Sequence, residues 1–119
     1  MNKSRFLSSL LVFTLNFSLI SSDNLKGLKV NFHSKSTYIS QSNEIFTIKY
    51  YKLSDNSLNF IKLELPDGNI ITLPQVVSAS GEKYSINHNY SWWQKGDSAF
   101  LEKRKGKNWV VIHRCTLEK

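Results

Sequence analysis

The chain has 119 residues, a formal net charge of +7 and one cysteine. This length allows no more than one domain, and a single thiol excludes an internal disulfide framework. A basic balance favours anionic cell-surface polymers, nucleic acid or an acidic site on a protein as partners, and charge alone does not choose among them.

The first 22 residues have the three parts of a secretory signal peptide. Lys3 and Arg5 form a positively charged start, an apolar run extends over 6–20, and Ser21 and Ser22 offer small side chains for cleavage. The apolar run is shorter than the roughly 20 residues that a membrane-spanning helix needs. We therefore predict a signal peptide over 1–22 that is removed; a retained N-terminal anchor is the alternative.

Cleavage after residue 22 would leave residues 23–119 as the folded domain. Because this removes two basic residues and no acid, the formal charge falls from +7 to +5 (7 − 2). No cysteine near the cleavage region is available to carry a lipid. We expect an exported, periplasmic domain with no stable membrane anchor, which would rarely meet nucleic acid.

From Leu28 onward, apolar and polar residues alternate with a period close to two, which predicts strands and no helix. Eight segments carry the pattern: LKVNFH (28–33), EIFTIKYY (44–51), SLNFIKLEL (57–65), NIITL (69–73), KYSI (83–86), YSWW (90–93), SAFLEK (98–103) and WVVIHR (109–114). The turn sequences between them are SDNS (54–57), PDG (66–68), QKGD (94–97) and KGKN (105–108). The predicted fold is all-β, a small antiparallel β-barrel of about eight short strands, because closure removes exposed edges.

Patterns that would indicate an enzyme or a metal site are missing from the sequence. His33, His88 and His113 lie far apart, so we predict no metal, and we expect His113 to face solvent from the last strand. There is no G-x-S-x-G motif and no glycine loop of the phosphate-binding kind. We therefore expect a binding protein without a cofactor, not an enzyme.

Two short motifs carry the functional signal, S-A-S-G-E-K-Y (78–84) and W-W-Q-K-G-D-S-A (92–99). Together they resemble the C-type lysozyme inhibitor family of exported bacterial proteins. That family is marked by a Ser-Ala-Ser-Gly-Ala-Arg/Lys-Tyr type motif and a Trp-x-Lys-Gly-Asp-x-Ala type motif. The resemblance runs from about Leu63 to the end, and it implies the same antiparallel barrel that the periodicity predicts.

The resemblance implies that the two motifs form adjoining loops that enter the active-site cleft of a C-type lysozyme. By motif match, Ser80 and Lys95 would meet the catalytic carboxyls, because an ammonium complements an ionised carboxylate and a hydroxyl can donate or accept. The predicted lysozyme-binding set is Ser80, Lys95, Gly81, Tyr84, Gly96, Trp93 and Ser78.

The neighbours of Ser80 and Lys95 are expected to support the two loops. Gly81 and Gly96 would let the backbone turn sharply. Tyr84 and Trp93 would brace the loops or anchor the interface. Alternation places Trp93 and the preceding Trp92 on opposite faces, so one belongs to the core and the other is exposed, without deciding which.

The sequence departs from the family pattern in several respects, among them its cysteines and the residue at position 82. Family members carry an early cysteine that pairs with a late one; here Cys115 stands at the late position, and KVNFHSKS (29–36) contains no cysteine. The barrel would then close without a link whose removal commonly costs about 2–5 kcal/mol. We expect a half-buried free thiol, with pairing between molecules as the alternative. Glu82 stands where a small residue is usual.

The net charge of the domain predicts how its association with lysozyme depends on salt. C-type lysozymes are mostly basic, so an inhibitor of charge +5 would be repelled at long range. Association should speed up, or at least not slow, as salt rises. One alternative function is an exported β-barrel module that binds peptidoglycan or another anionic cell-surface polymer. Another is a structural domain in which the motifs are only core and turns. We interpret the basic hairpin at 103–107 as a solubilising turn.

Overall fold

Eight antiparallel strands follow one another in the computed structural model, which describes residues 26–86 and 89–119. They are β1 (Val30–Ser40), β2 (Ile45–Leu53), β3 (Asn59–Glu64), β4 (Ile70–Val76), β5 (Glu82–Ser85), β6 (Tyr90–Lys95), β7 (Ser98–Lys105) and β8 (Asn108–Leu117). Each strand pairs with the next and β1 pairs with β8, so the sheet closes into a barrel. The predicted barrel is confirmed, whereas the predicted signal peptide and His88 lie outside the described residues.

The four predicted turns lie where the sequence indicates them. The β6–β7 and β7–β8 connections are two-residue turns that begin with Gly96 (φ +58°) and Gly106 (φ +62°). The second central residues, Asp97 and Lys107, do not have a positive φ. A positive φ at the first central residue alone is the feature of type II′ turns, whose twist matches that of the strands. The four turns therefore join neighbouring strands directly, which is why sequence order and sheet order coincide.

The first strand is longer than the alternation of apolar residues indicates, since it continues past His33 to Ser40. Its second half is SKSTYIS, in which small hydroxyl residues occupy most positions. These residues pair with β2 from Ser34–Tyr50 to Ile39–Ile45, after a register shift between Phe32 and Ser34. Backbone pairing thus extends the strand where the apolar signal is weak.

The barrel interior is filled by one apolar cluster, whose largest fully buried member is Trp92. The Trp92 ring packs edge-on against Tyr38 at 5.3 Å and tilted against Phe46 at 5.8 Å. The remaining buried members are Ile48, Ile61, Leu63, Leu73, Tyr84, Ala99, Leu101 and Cys115. Trp92 is therefore the core tryptophan, and Trp93 is half-buried on the outer face.

Barrel closure depends on three register pairs between β1 and β8, one of which joins Ser40 and Cys115. The prediction of a half-buried thiol is wrong, because Cys115 is buried with 4% exposed and lies opposite Ala99 on its other side. Burial, followed by the charge of Glu44, raises the pKa of the Cys115 thiol to about 11. The free thiol is thus part of the core at the seam of the barrel.

The prediction that His113 faces solvent is also wrong. The register between β7 and β8 shifts from Leu101–His113 to Glu102–Val111, so one extra residue of β8 forms a bulge at this point. The bulge changes the alternation, and the His113 ring lies 5.1 Å from that of Phe46. His113 is consequently a half-buried residue at one end of the barrel.

Candidate functional site

The two motifs meet at one end of the barrel, here called the motif end. The β4–β5 loop (77–81) contains Ser78, Ser80 and Gly81, and the β6–β7 turn (96–97) follows Lys95. Because successive connections of an antiparallel barrel alternate between its two ends, both segments emerge on the same side. Ser80, Lys95 and Gly96 are exposed there.

Trp93 contacts both motifs. Its indole Nε1 donates a hydrogen bond of 2.9 Å to the backbone carbonyl oxygen of Ser80. The ammonium of Lys95 lies 3.8 Å from the centroid of the same ring, within the range of a cation–π contact. The two residues that the resemblance selects are therefore held by one half-buried side chain between them.

Gly81 fits directly against the backbone of β6. A Cβ atom at this position would lie 2.1 Å from the carbonyl oxygen of Gln94 and 3.0 Å from Cγ of Lys95. Its φ of +66° is also a conformation that residues with a side chain rarely adopt. Glycine is thus required both by the backbone conformation and by the close approach of the two motifs.

Ser78 stabilises the β4–β5 loop from within. Its hydroxyl lies 3.0 Å from the carbonyl oxygen of Ser80 and 3.0 Å from that of Gly81. Within the described part of the chain, the Ser80 hydroxyl itself makes no hydrogen bond. Ser78 therefore shapes the loop, whereas the Ser80 hydroxyl is free for a partner.

The end of β8 supports the β6–β7 turn. The backbone N–H of Leu117 donates to the carbonyl oxygen of Asp97 at 2.7 Å, and Lys119 Nζ lies 2.7 Å from the Asp97 carboxylate. The hydrogen bond to Asp97 raises the pKa of Lys119. Asp97 is thus paired, and among residues 26–86 and 89–119 no acidic group forms an ion pair with Lys95.

Tyr84 does not belong to the exposed surface, since only 4% of it is accessible. Its hydroxyl donates to the Glu82 carboxylate at 3.1 Å, and its ring packs edge-on against Tyr50 at 6.2 Å. Burial, followed by the charge of Glu82, raises the pKa of Tyr84. Its burial beside the β4–β5 loop suits the predicted bracing role better than that of an exposed interface anchor.

Two residues that contribute to the site were not predicted. Gln94 accepts hydrogen bonds from the Tyr50 hydroxyl and, at 2.9 Å, from Nε1 of Trp92. Lys83 lies on β5 with its ammonium 4.9 Å from the centroid of the Trp93 ring. The position of Gln94 between Trp93 and Lys95 in the second motif could have indicated its role. No such pattern marks Lys83, which lies beside Trp93 only because of the register between β5 and β6.

A cavity of about 420 Å³ opens at the motif end, inside the rim of the barrel. Its lining combines aromatic side chains such as Tyr50 with polar ones such as Ser36, Lys52, Gln75 and Glu82. Across the described ranges, no cluster of three or more histidine, cysteine or acidic side chains could hold a metal ion. In the same residues, no helix is long and apolar enough to span a membrane.

Comparisons with known proteins identify the family. A family model described as membrane-bound lysozyme-inhibitor of c-type lysozyme matches residues 38–109, a range that begins earlier than Leu63 and includes both motifs. The chain is 46% identical over 65 residues to a membrane-bound lysozyme inhibitor of C-type lysozyme from Yersinia enterocolitica, covering 55% of this chain and 51% of the relative. It is 36% identical over 64 residues to the protein of that name from Pseudomonas aeruginosa, covering 54% and 48%. The chain thus spans about half the length of the curated relatives that it matches.

Among solved structures, the barrel is similar to MliC of Pseudomonas aeruginosa, which was crystallised in complex with hen egg white lysozyme. The TM-score is 0.55 and the identity 24%, over 76% of this chain and 86% of that one, so the similarity supports the fold. The family model matches more than half of the chain. The chain therefore belongs to the family of membrane-bound lysozyme inhibitors of C-type lysozyme.

Proposed function

We propose that this protein inhibits a C-type lysozyme by placing the β4–β5 loop and the β6–β7 turn in the active-site cleft. The observation that carries the proposal is the shared contact with Trp93, which holds the Ser80 loop and the Lys95 side chain together at one end of the barrel. Family membership, and the description of its members as inhibitors rather than enzymes, support the same function.

The chemistry of the two residues suits a glycosidase cleft. Lysozyme uses one carboxyl group that stays protonated as an acid and one that is ionised, about 5 Å apart in retaining enzymes. The Lys95 ammonium, which has no acidic partner within the described residues, would complement the ionised carboxylate. The Ser80 hydroxyl could donate to or accept from either form. Charge-assisted contacts of this kind contribute about 1.5–3 kcal/mol each.

The support around the two residues would strengthen binding, because little order remains to be imposed when the complex forms. Gly81 rests against the backbone of β6, and Ser78 closes the loop from within. On the other side, the Asp97 carbonyl oxygen accepts a hydrogen bond from Leu117. The loop and the turn would therefore enter the cleft as one preformed unit.

We also propose that this inhibitor acts in the cell envelope. The charged start, apolar run and small residues of 1–22 support an export signal, which would leave 23–119 as the periplasmic domain. The description of family members as membrane-bound supports an envelope location in general terms. Sequencing the amino terminus of the protein recovered from a periplasmic extract tests the cleavage site.

Protection of bacterial cell walls from a C-type lysozyme tests the function. The purified protein should slow lysis in a dose-dependent manner, and Ser80→Ala and Lys95→Ala should each weaken inhibition about tenfold or more. Ser42→Ala and Lys107→Ala are matched controls, because they make the same changes at the opposite end of the barrel. Both control variants should protect like the unchanged protein.

Two results would contradict the proposal. Protection that survives both Ser80→Ala and Lys95→Ala would retain an inhibitor but place its contact surface elsewhere. No protection at concentrations far above that of the enzyme would argue against inhibition of this lysozyme. Sedimentation with purified walls in the absence of lysozyme would then test the alternative of a wall-binding module.

A further inference from the structure

The outer face of the second half of the barrel carries a row of two aromatic rings flanked by cations. Register pairs join Lys83 on β5 to Trp93 on β6, Trp93 to Phe100 on β7, and Phe100 to Arg114 on β8. The row therefore crosses four neighbouring strands with a cation at each end. Lys83 lies 4.9 Å from the Trp93 centroid, and the Arg114 guanidinium lies 5.4 Å from that of Phe100.

Further cations extend the row along β6 and β7. Lys95 on β6 is the second cation that packs on Trp93, with its ammonium 3.8 Å from the ring centroid. Arg104 lies 5.5 Å from the centroid of Trp109, its register partner on β8. Each of the four strands thus contributes one cation that packs on a ring. We call these four cations and three rings the basic aromatic face: Lys83, Lys95, Arg104, Arg114, Trp93, Phe100 and Trp109.

Acidic groups balance little of this charge. Within the described residues, the cations of the face form one ion pair, in which Lys83 Nζ lies 4.0 Å from the Glu102 carboxylate. The nearby Asp97 pairs with Lys119 instead. The β7–β8 hairpin next to the face adds Lys105 and Lys107, both exposed. The face therefore carries a net positive charge that its own side chains do not neutralise.

The rings also hold the cations in place. Long basic side chains keep their charge in water while their stems cover apolar surface, so the half-buried rings limit where each charge can lie. A cation that is already ordered loses less entropy when it binds an anion. We infer that the basic aromatic face binds an acidic polysaccharide, a polymer that carries carboxylates at regular intervals. This inference does not depend on lysozyme inhibition.

Two features favour such a polymer over the other polyanions. The face lies on the outside of the barrel, so it suits an extended chain that crosses the strands rather than a small anion that needs a cleft. Binders of single-stranded nucleic acid stack bases on open ring faces. Here Lys95 and Arg104 lie over the Trp93 and Trp109 rings, at 3.8 Å and 5.5 Å from their centroids. These ring faces are therefore less open to stacking bases.

Binding of fluorescently labelled alginate, a polyuronate, tests the inference at low ionic strength. The double variant Arg104→Gln/Arg114→Gln removes two charges from the face and leaves Ser80 and Lys95 intact. Lys49→Gln/Lys62→Gln removes two charges from exposed register partners on β2 and β3, on the opposite side of the closed barrel. We expect the first pair to weaken binding about tenfold or more, and the second about twofold, as a general charge effect.

Equal losses in the two double variants would overturn the inference, because they would show that net charge alone attracts the polymer. Absence of alginate binding would overturn it too, as would tighter binding of a single-stranded oligonucleotide than of alginate. Inhibition of lysozyme is measured separately with a soluble chito-oligosaccharide substrate, which contains no acidic polymer. The Arg104→Gln/Arg114→Gln variant should inhibit there like the unchanged protein, so failure of this inference is distinguishable from failure of the proposed function.

Discussion

The indole nitrogen of Trp93 donates a hydrogen bond of 2.9 Å to the carbonyl oxygen of Ser80, and the Lys95 ammonium lies 3.8 Å from the centroid of the same indole ring. One side chain thus fixes the relative positions of two motifs on different connections. Trp93 also packs against Lys83 of β5. We therefore assign Trp93 the role of positioning the two loops.

Replacement of Trp93 by phenylalanine separates these contacts. Trp93→Phe keeps an aromatic ring for Lys95 but removes the donor to Ser80, so the β4–β5 loop loses one hydrogen bond. We expect inhibition about fivefold weaker, as a neutral hydrogen bond contributes about 1 kcal/mol, with little change in melting temperature. Trp109→Phe is the matched control on the same sheet. Equal effects of the two changes on inhibition would argue against a positioning role.

Gly81 should be the least replaceable glycine of the chain among those described. Gly81→Ala places a Cβ 2.1 Å from the Gln94 carbonyl oxygen at a φ of +66°. Strain and displacement of β6 together should lower the free energy of unfolding by about 3 kcal/mol or more. Gly68→Ala is the control, because its φ is +91° but no atom lies within 4 Å of the added carbon.

Urea unfolding compares the two glycine variants. For Gly68→Ala, backbone strain alone should lower the free energy of unfolding by about 1 kcal/mol and leave inhibition unchanged. Gly81→Ala should also inhibit lysozyme poorly, since the clash pushes the Ser80 loop away from Lys95. If the two variants were equally stable, the close approach of the loop to β6 would not be what requires glycine at position 81.

Glu82 should assist association with a basic lysozyme. It is exposed at the motif end and, in the described part of the chain, it forms no ion pair. Glu82→Gln keeps an acceptor for the Tyr84 hydroxyl but removes a negative charge near the contact surface. At low salt it should slow association about twofold to threefold, and the difference should vanish as salt screens the charges.

Glu64→Gln makes the same change in net charge on the outer face of β3 and should slow association less. Stopped-flow fluorescence at several salt concentrations measures both variants. The unchanged protein should associate no more slowly at higher salt, because both partners are basic. A steep loss of binding with salt in the unchanged protein would instead indicate an acidic partner.

Cys115 should be unreactive in the folded protein and should make stability depend on pH. Burial raises its pKa from 9.0 to about 11. Between those values the unfolded chain loses the thiol proton and the folded chain keeps it, so the free energy of unfolding falls as pH rises from about 9 to 11. Cys115→Ala should flatten that part of the curve, leaving the fall caused by buried tyrosines such as Tyr38, whose pKa burial raises to about 12.

Alkylation by iodoacetamide provides the independent measurement for Cys115. At pH 8 the folded protein should react far more slowly than the protein in urea, because the thiolate is the reactive form and burial disfavours it. Rapid labelling of the folded protein would show that the seam between β1 and β8 opens readily.

Local sequence determined the strands, the turns and the two motifs. Alternation over two residues and turn residues such as Gly96 and Gly106 act within a few positions, so they are visible without a fold. The same locality explains the failures. Alternation states that Trp92 and Trp93 face opposite ways, but only pairing with Tyr84 and Leu101 shows that Trp92 belongs to the core.

Closure of the barrel decided what alternation left open. It buried Cys115 between Ser40 and Ala99, and the bulge in β8 turned His113 toward Phe46. The contacts of Ser80 and Lys95 with one indole and the row from Lys83 to Arg114 also depend on the register between neighbouring strands, which alternation along one strand does not specify. The sequence by itself determined which residues the motif end would contain; only the tertiary structure decided that one indole holds them together, because hydrogen bonds and ring contacts across strands depend on pairing that no local pattern specifies.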